Sequence, residues 1–196
     1  YKSERQEKKL ERVDFHILPH FDTDLFTKVE NLFIQMAFVR DMVNQNADFV
    51  TPAHFVHEAF ALAKKYPSIS CSVLESQEIE ELNMGLFLAV AKGSTYDPAL
   101  IHLQYRGDPH SKDSTLFVGK AVTFDTGGLD IKPLGSMHTM RCDMAGGAVL
   151  LGLLPLIVEE NLPINVDILI PVCENAIGSK AFKPGDVFKS MKGISV

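Results

Sequence analysis

The chain of 196 residues has only three cysteines, Cys71, Cys142 and Cys173, far apart and without any C-x-x-C spacing. They cannot all pair, which excludes a disulfide scaffold and a cysteine-based zinc site and fits a reducing compartment. Nor is there a run of five or more basic residues. Nineteen Lys and Arg stand against 25 Asp and Glu, a net charge of −6 with a pI near 5.6. That balance offers no electrostatic footprint for nucleic acid and no polybasic membrane anchor. No apolar stretch approaches about 18 uninterrupted residues, and the charged start, Tyr1-Lys-Ser-Glu-Arg-Gln-Glu-Lys-Lys9, has no apolar secretory segment behind it. The expectation is a soluble cytoplasmic protein. Several catalytic signatures are missing as well. Gly119-Lys120 fails as a P-loop because Ser114 and Ala121 occupy the positions of the required glycine and hydroxyl residue, and there is no G-x-S-x-G, H-E-x-x-H or G-x-G-x-x-G.

What is present is a 46 % apolar composition, enough for a sizeable core in one domain, or in a small domain plus part of another. Val13 to Leu18 alternates like a short strand. Leu25, Val29, Leu32, Met36 and Val39 then recur at the spacing of one helix face, predicting a long amphipathic helix from Asp22 to about Asn44. A second helix is expected after Thr51-Pro52, with Thr as cap, running to Tyr66-Pro67. On it His54 and His57 form an i, i+3 pair. With Glu58 following, their order matches no zinc-protease signature, and the pair reads as a helix face.

Beyond Pro67 strand and helix alternate. Ile69–Leu74, Ala99–Tyr105, Thr115–Phe124 and Val166–Cys173 are strand-like, as is the ending Lys192–Val196; Ser76–Asn83 and Asp143–Glu160 are helical. Such alternation implies a three-layer α/β/α fold, a mixed, mostly parallel sheet with helices on both faces. The expected division is a domain tail at 1–21, a helical linker at 22–67 and an α/β domain at 68–196.

Chemistry concentrates between residues 118 and 147. Lys120 and Asp125 bracket the end of an apolar strand, Gly127-Gly128 open a loop that carries Lys132, and Asp143 stands at the start of a helix. Ligand pockets of open α/β sheets form at the carboxyl ends of strands, so two carboxylates and two amines are expected on one rim. Paired carboxylates suit hard or borderline divalent cations. A lysine beside such ions either ligates as a neutral amine or stays charged and steadies a developing oxyanion. Taken singly, each of these residues is as well explained by a solvated loop or a surface ion pair. His138, on the same loop, reads as solvated.

The string Val118-Gly-Lys-Ala-Val-Thr-Phe-Asp-Thr-Gly-Gly128, with Ile131-Lys132 and Met140-Arg-Cys-Asp-Met-Ala-Gly-Gly147, resembles the leucine aminopeptidases, or cytosol aminopeptidases, a family of two-metal exopeptidases. Val39-Arg-Asp-Met-Val-Asn44, Met84-Gly-Leu-Phe-Leu-Ala-Val-Ala-Lys-Gly-Ser94, Val172-Cys-Glu-Asn175 and Lys183-Pro-Gly-Asp-Val187 extend the resemblance over roughly residues 35–196. It implies that Lys120, Asp125 and Asp143 bind metal, Asp125 bridging two ions, and that Lys132 is the catalytic lysine that polarises the scissile carbonyl. Met140 matches a residue lining the pocket for the first side chain, so Lys120, Asp125, Lys132, Met140 and Asp143 together form the implied substrate site. The implied cofactors are two divalent ions, Mn or Zn with Mg or Co as options, and a bicarbonate in the full-length family. The implied reaction releases N-terminal, leucine-like residues from peptide substrates, and the family is typically a homo-hexamer.

Two departures follow. Asp130 replaces the Ser or Asn common beside the catalytic loop and adds negative charge near Lys132. The family's Asn-Thr-Asp-Ala-Glu-Gly-Arg motif, which brings the remaining Asp and Glu ligands and an Arg that holds the bicarbonate, is not in the 196 residues. The expectation is an incomplete fragment, inactive by itself, with apolar surface left uncovered on one side of the sheet. The alternatives are a non-catalytic binding or scaffold module that keeps the fold, or a hydrolase using one metal held by Asp125 and Asp143.

Overall fold

A computed structural model describes residues 12–14 and 22–196. Most of the strand expected at Val13–Leu18, and nearly all of the expected domain tail, lie outside the described residues. α1 (Thr23–Asn44) begins where the Asp22 carboxylate accepts from the Asp24 and Leu25 amides at 3.0 Å, and α2 (Pro52–Lys65) begins at Thr51 with Pro52 in its first turn. Both starts follow from side chains that satisfy otherwise orphaned N–H groups. The remaining elements are β1 (Ile69–Leu74), α3 (Ser76–Glu81), α4 (Gly85–Ala91), β2 (Ala99–Arg106), β3 (Thr115–Val118), β4 (Ala121–Asp125), α5 (Leu134–Met137), a 3-10 turn (Met140–Cys142), α6 (Ala145–Glu159) and β5 (Asn165–Asn175).

The five strands form one mixed sheet, flanked by helices, with β5 at its centre. β2 lies antiparallel to β5, with Ala99 opposite Val172, and β1 lies antiparallel to β2, with Ile69 opposite Tyr105. β3 and β4 both run parallel to β5 on its other side, β3 beside Val166–Leu169 and β4 beside Val172–Asn175. The pairings are thus two parallel and two antiparallel. The stretch expected as one strand, Thr115–Phe124, is interrupted at Gly119-Lys120, and packing explains why. A Cβ on Gly119 would fall 2.6 Å from Leu150 Cδ1 and 2.9 Å from the Gly146 carbonyl. The Lys120 carbonyl, instead of continuing the ladder, accepts from the Gly147 N–H in the first turn of α6 at 2.8 Å.

The two faces of the sheet are both packed. Ile101, Leu103, Val166, Ile168, Ile170 and Val172 meet Phe55 and Ala59 of α2 and Leu151 and Leu154 of α6 in the main core. Val122 and Cys173, adjacent in sequence to core residues Ala121 and Val172 and so on the opposite face, are covered by Phe87, Val90 and Ala91 of α4. Layer order is therefore helix, sheet, helix. Phe55 is wholly buried, and side chains of that size contribute about 1.5–3 kcal/mol each through burial. The segment 22–67, expected as a linker, shares this core through Met42, Val50, Phe55 and Ala59.

Three local differences from expectation have physical reasons. The apolar stripe of α1 packs on α6 but is only partly covered; Leu25, Val29, Leu32 and Met36 are 40–58 % exposed among the described residues. On β3, Leu116 and Val118 are likewise exposed at 56 % and 65 %. The ending is a tight reversal rather than a sheet strand: Phe188 and Val196 exchange two backbone hydrogen bonds at 2.9 Å and Lys189 bridges Ser195. Among the described residues, Met140–Glu159 is long and apolar enough to cross a membrane, but half of it is buried, with Leu151 and Leu154 inside the core.

Candidate functional site

The break after β3 puts Lys120 at the corner between β4 and α6, and the end of β4 presents Asp125. From there the loop turns through Gly127 and Gly128, whose φ values of +87° and +66° lie in the left-handed region. A Cβ at Gly127 would meet the Asp130 carbonyl at 2.2 Å, so no other residue fits that turn. The loop closes when the Lys132 N–H donates to the Thr126 carbonyl at 2.9 Å. Asp143 follows the 3-10 turn that begins at Met140, immediately before α6.

These four residues form two ion pairs. Lys120 Nζ lies 2.8 Å from Asp143 Oδ2, and Lys132 Nζ lies 3.1 Å from Asp125 Oδ2. The carboxylates are the less exposed partners, 20 % for Asp143 and 13 % for Asp125, against 60 % for Lys120 and 32 % for Lys132. Asp125 Oδ1 accepts from the Gly127 N–H at 2.9 Å and from Asn175 Nδ2 at 2.6 Å. Burial pushes the Asp125 pKa up, but the Gly127 N–H, Lys132 and Asn175 together outweigh it and hold the carboxyl below its usual range. Beneath the site the Cys173 thiol is 2 % exposed. Burial, reinforced by the charge of Asp125, pushes its pKa up to about 12, so it stays a neutral thiol.

A family model described as the catalytic domain of the cytosol aminopeptidase family matches residues 37–196. The chain belongs to the cytosol aminopeptidase family. The match begins inside α1, so α2 and the end of α1 fall within the span of that catalytic domain. A probable cytosol aminopeptidase of Chlamydia caviae is 48 % identical over 180 residues, covering 92 % of this chain and 36 % of the relative. One from Protochlamydia amoebophila is 45 % identical over 159 residues, covering 81 % and 32 %. The crystal structure of a cytosol aminopeptidase from Coxiella burnetii superimposes with a TM-score of 0.82 at 33 % identity, over 90 % of this chain and 38 % of that one. The chain thus spans about a third of the length of the cytosol aminopeptidase relatives it matches.

The donor set fits the divalent cations implied by the resemblance. Asp143 Oδ2 is buried and, among the described residues, is met by the Lys120 ammonium at 2.8 Å without a well-formed hydrogen bond. A buried carboxylate oxygen paired with an amine, on a chain that presents a second carboxylate at the end of β4, is suited to a hard or borderline divalent cation. Met140 is half-buried at the start of the 3-10 turn and His138 is exposed at the end of α5. Lys132 pairs with Asp125, while Asp130 is exposed.

Sequence reasoning gave no role to Asn175, which proves to be the side chain that fixes the bridging candidate. Its signals are a polar residue closing an apolar strand and its place in the string Val172-Cys-Glu-Asn175. The meaning of those signals depends on register, because β4 pairs with β5 at Asp125 and Asn175. Thr126 secures the same junction, its N–H and Oγ1 both donating to the Asn175 carbonyl at 2.8 Å.

Proposed function

We propose that this chain carries the lysine and part of the metal-binding side of an aminopeptidase site that releases N-terminal, apolar residues from peptides. The observation that supports this reading most directly is the two ion pairs that flank β4, Lys120–Asp143 at its start and Lys132–Asp125 at its end, with the carboxylates the more buried partners. Lys120, Asp125 and Asp143 would hold divalent ions. Such ions supply positive charge that polarises a carbonyl and activates water at neutral pH.

The chain's own residues have separable tasks. Asp125 is held from one side by Gly127 and Asn175, which keeps it ionised and leaves Oδ2 directed toward Lys132. Lys132, on a loop fixed by two positive-φ glycines, donates its N–H groups to the peptide carbonyl oxygen as negative charge grows there, a preorganised form of oxyanion stabilisation. Met140 presents an apolar, adaptable side chain to the first residue of the substrate, consistent with leucine-like preference. Three free thiols and the names of the relatives support a cytosolic setting.

The test is hydrolysis of leucine amide by the full-length protein with Mn2+ or Zn2+. Lys132→Ala is expected to lower kcat by about 100- to 1,000-fold while metal binding persists. Wild-type kcat in that variant would overturn the role of Lys132. The 196 residues alone are expected to be inactive, because the Asn-Thr-Asp-Ala-Glu-Gly-Arg motif of the family is not among them.

A further inference from the structure

α2 carries a second set of donors that the proposed aminopeptidase site does not use. His54, His57 and Glu58 occupy positions i, i+3 and i+4 of the helix, which puts them on neighbouring parts of one surface. His57 Nδ1 lies 3.2 Å from Glu58 Oε1, and His54 Nε2 lies 3.9 Å from the same oxygen. All three donor atoms fall within 4.8 Å of one another. Around an ion with bonds of about 2.0–2.2 Å, tetrahedral ligands stand about 3.4 Å apart, so the 3.2 Å separation already matches, and side-chain rotation, freest at the exposed His57, closes the other two.

The surroundings hold this arrangement. The His54 ring lies against Phe49, with centroids 4.8 Å apart, and is nearly parallel to the His57 ring, at 16°. His54 and Glu58 are half-buried, at 21 % and 24 % exposure, while His57 is open to solvent at 75 %. Two positioned donors and one mobile one on a rigid helix describe a site that an ion enters from solvent and that water completes.

We propose that His54, His57 and Glu58 bind one divalent transition-metal ion of the Zn2+, Ni2+ or Cu2+ class. Two imidazoles and one carboxylate select that class over Mg2+ and Ca2+, which prefer all-oxygen ligands. The site is distinct in chemistry from the Lys120, Asp125 and Asp143 group, which contains no imidazole. An ion there joins successive turns of α2 on the flank beside Phe55, which anchors the helix in the core. Its consequence is a stiffer α2, because all three ligands belong to that one helix.

The experiment is a Zn2+ titration of the full chain with 15N-labelled histidine, followed by imidazole NMR, with millimolar Mg2+ present to occupy oxygen-donor sites. One equivalent of Zn2+ is expected to shift the His54 and His57 resonances together. His57→Ala, at an exposed position that leaves the fold intact, is expected to weaken that site at least tenfold, and Glu58→Gln to weaken it as well. The proposal is overturned if His57 responds alone, if neither imidazole responds, or if both variants retain wild-type affinity. Because no imidazole belongs to the Lys120–Asp143 group, either result stands independently of the aminopeptidase reading.

Discussion

Replacing Asn175 by alanine separates support of the candidate site from stability of the fold. The Asn175 side chain is buried, its Nδ2 donates to Asp125 Oδ1 at 2.6 Å, and its own Oδ1 is buried without a partner. A hydrogen bond to a charged group contributes about 1.5–3 kcal/mol, and a buried acceptor left unpaired costs about 1–3 kcal/mol. In folding these oppose each other, so the metal-free variant should unfold within about 1 kcal/mol of wild type. The backbone junction survives, because Thr126 bonds the Asn175 carbonyl rather than its side chain.

Toward a bound cation the two effects do not cancel. Asp125 loses one of the two donors that orient Oδ1 and keeps only the Gly127 N–H. At about 1.4 kcal/mol per factor of ten, the lost hydrogen bond corresponds to roughly 10- to 100-fold weaker binding, the range typical for loss of a group that orients a metal ligand. Calorimetric titration with Mn2+ measures that loss, and urea unfolding in a chelator measures stability. Mn2+ affinity within twofold of wild type would refute the reasoning. So would destabilisation of about 3 kcal/mol or more, since Asn175 would then be a support of the fold itself.

Gly147→Ala places a Cβ 2.8 Å from both Ala121 Cβ and Ile170 Cγ2 and 3.1 Å from Phe55 Cε1. Overpacking of about 1–3 kcal/mol exceeds the helix-propensity gain of about 1 kcal/mol, so urea unfolding should show a net loss; a stabilised variant would contradict the tight α6–sheet contact. Gly135→Ala, in the exposed α5 with nothing within 4 Å of its Cβ, is the uncrowded control and should show no loss and a gain of at most about 1 kcal/mol. Acid sensitivity should come partly from Asp167, whose pKa is held well below the carboxylate range by Arg106 against opposing burial, with Ser114, Gln104 and His102 adding donors. A lowered folded-state pKa stabilises above the ordinary carboxylate pKa of about 3.9 and that contribution fades as pH falls below it. Asp167→Asn should therefore be less stable at neutral pH and lose less on acidification; equal acid sensitivity in urea midpoints at pH 7 and pH 3 would refute the assignment.

Much of this molecule follows from local chemistry. Thr51-Pro52 fixes the start of α2 because a hydroxyl cap and a preset φ act within one turn. Asp125-Thr-Gly-Gly128 marks a tight loop after β4 because only glycine adopts its turn without strain. The family, too, was legible in the strings around Lys120, Asp125, Lys132 and Asp143, and the match over residues 37–196 agrees. Local pattern had no access to quantities set across the sheet. The interruption at Gly119-Lys120 arises because Gly146 and Gly147 of α6 occupy the space beside it. Asn175 reaches Asp125 only through the parallel register of β4 on β5. The helical spacing of His54, His57 and Glu58 was visible, yet their separations of 3.2 Å and 3.9 Å depend on rotamers, with Phe49 packed against His54. Composition and motif determined which chemical groups the chain owns; tertiary packing alone decided which of their atoms face one another, because those distances are set by contacts between residues far apart in the chain.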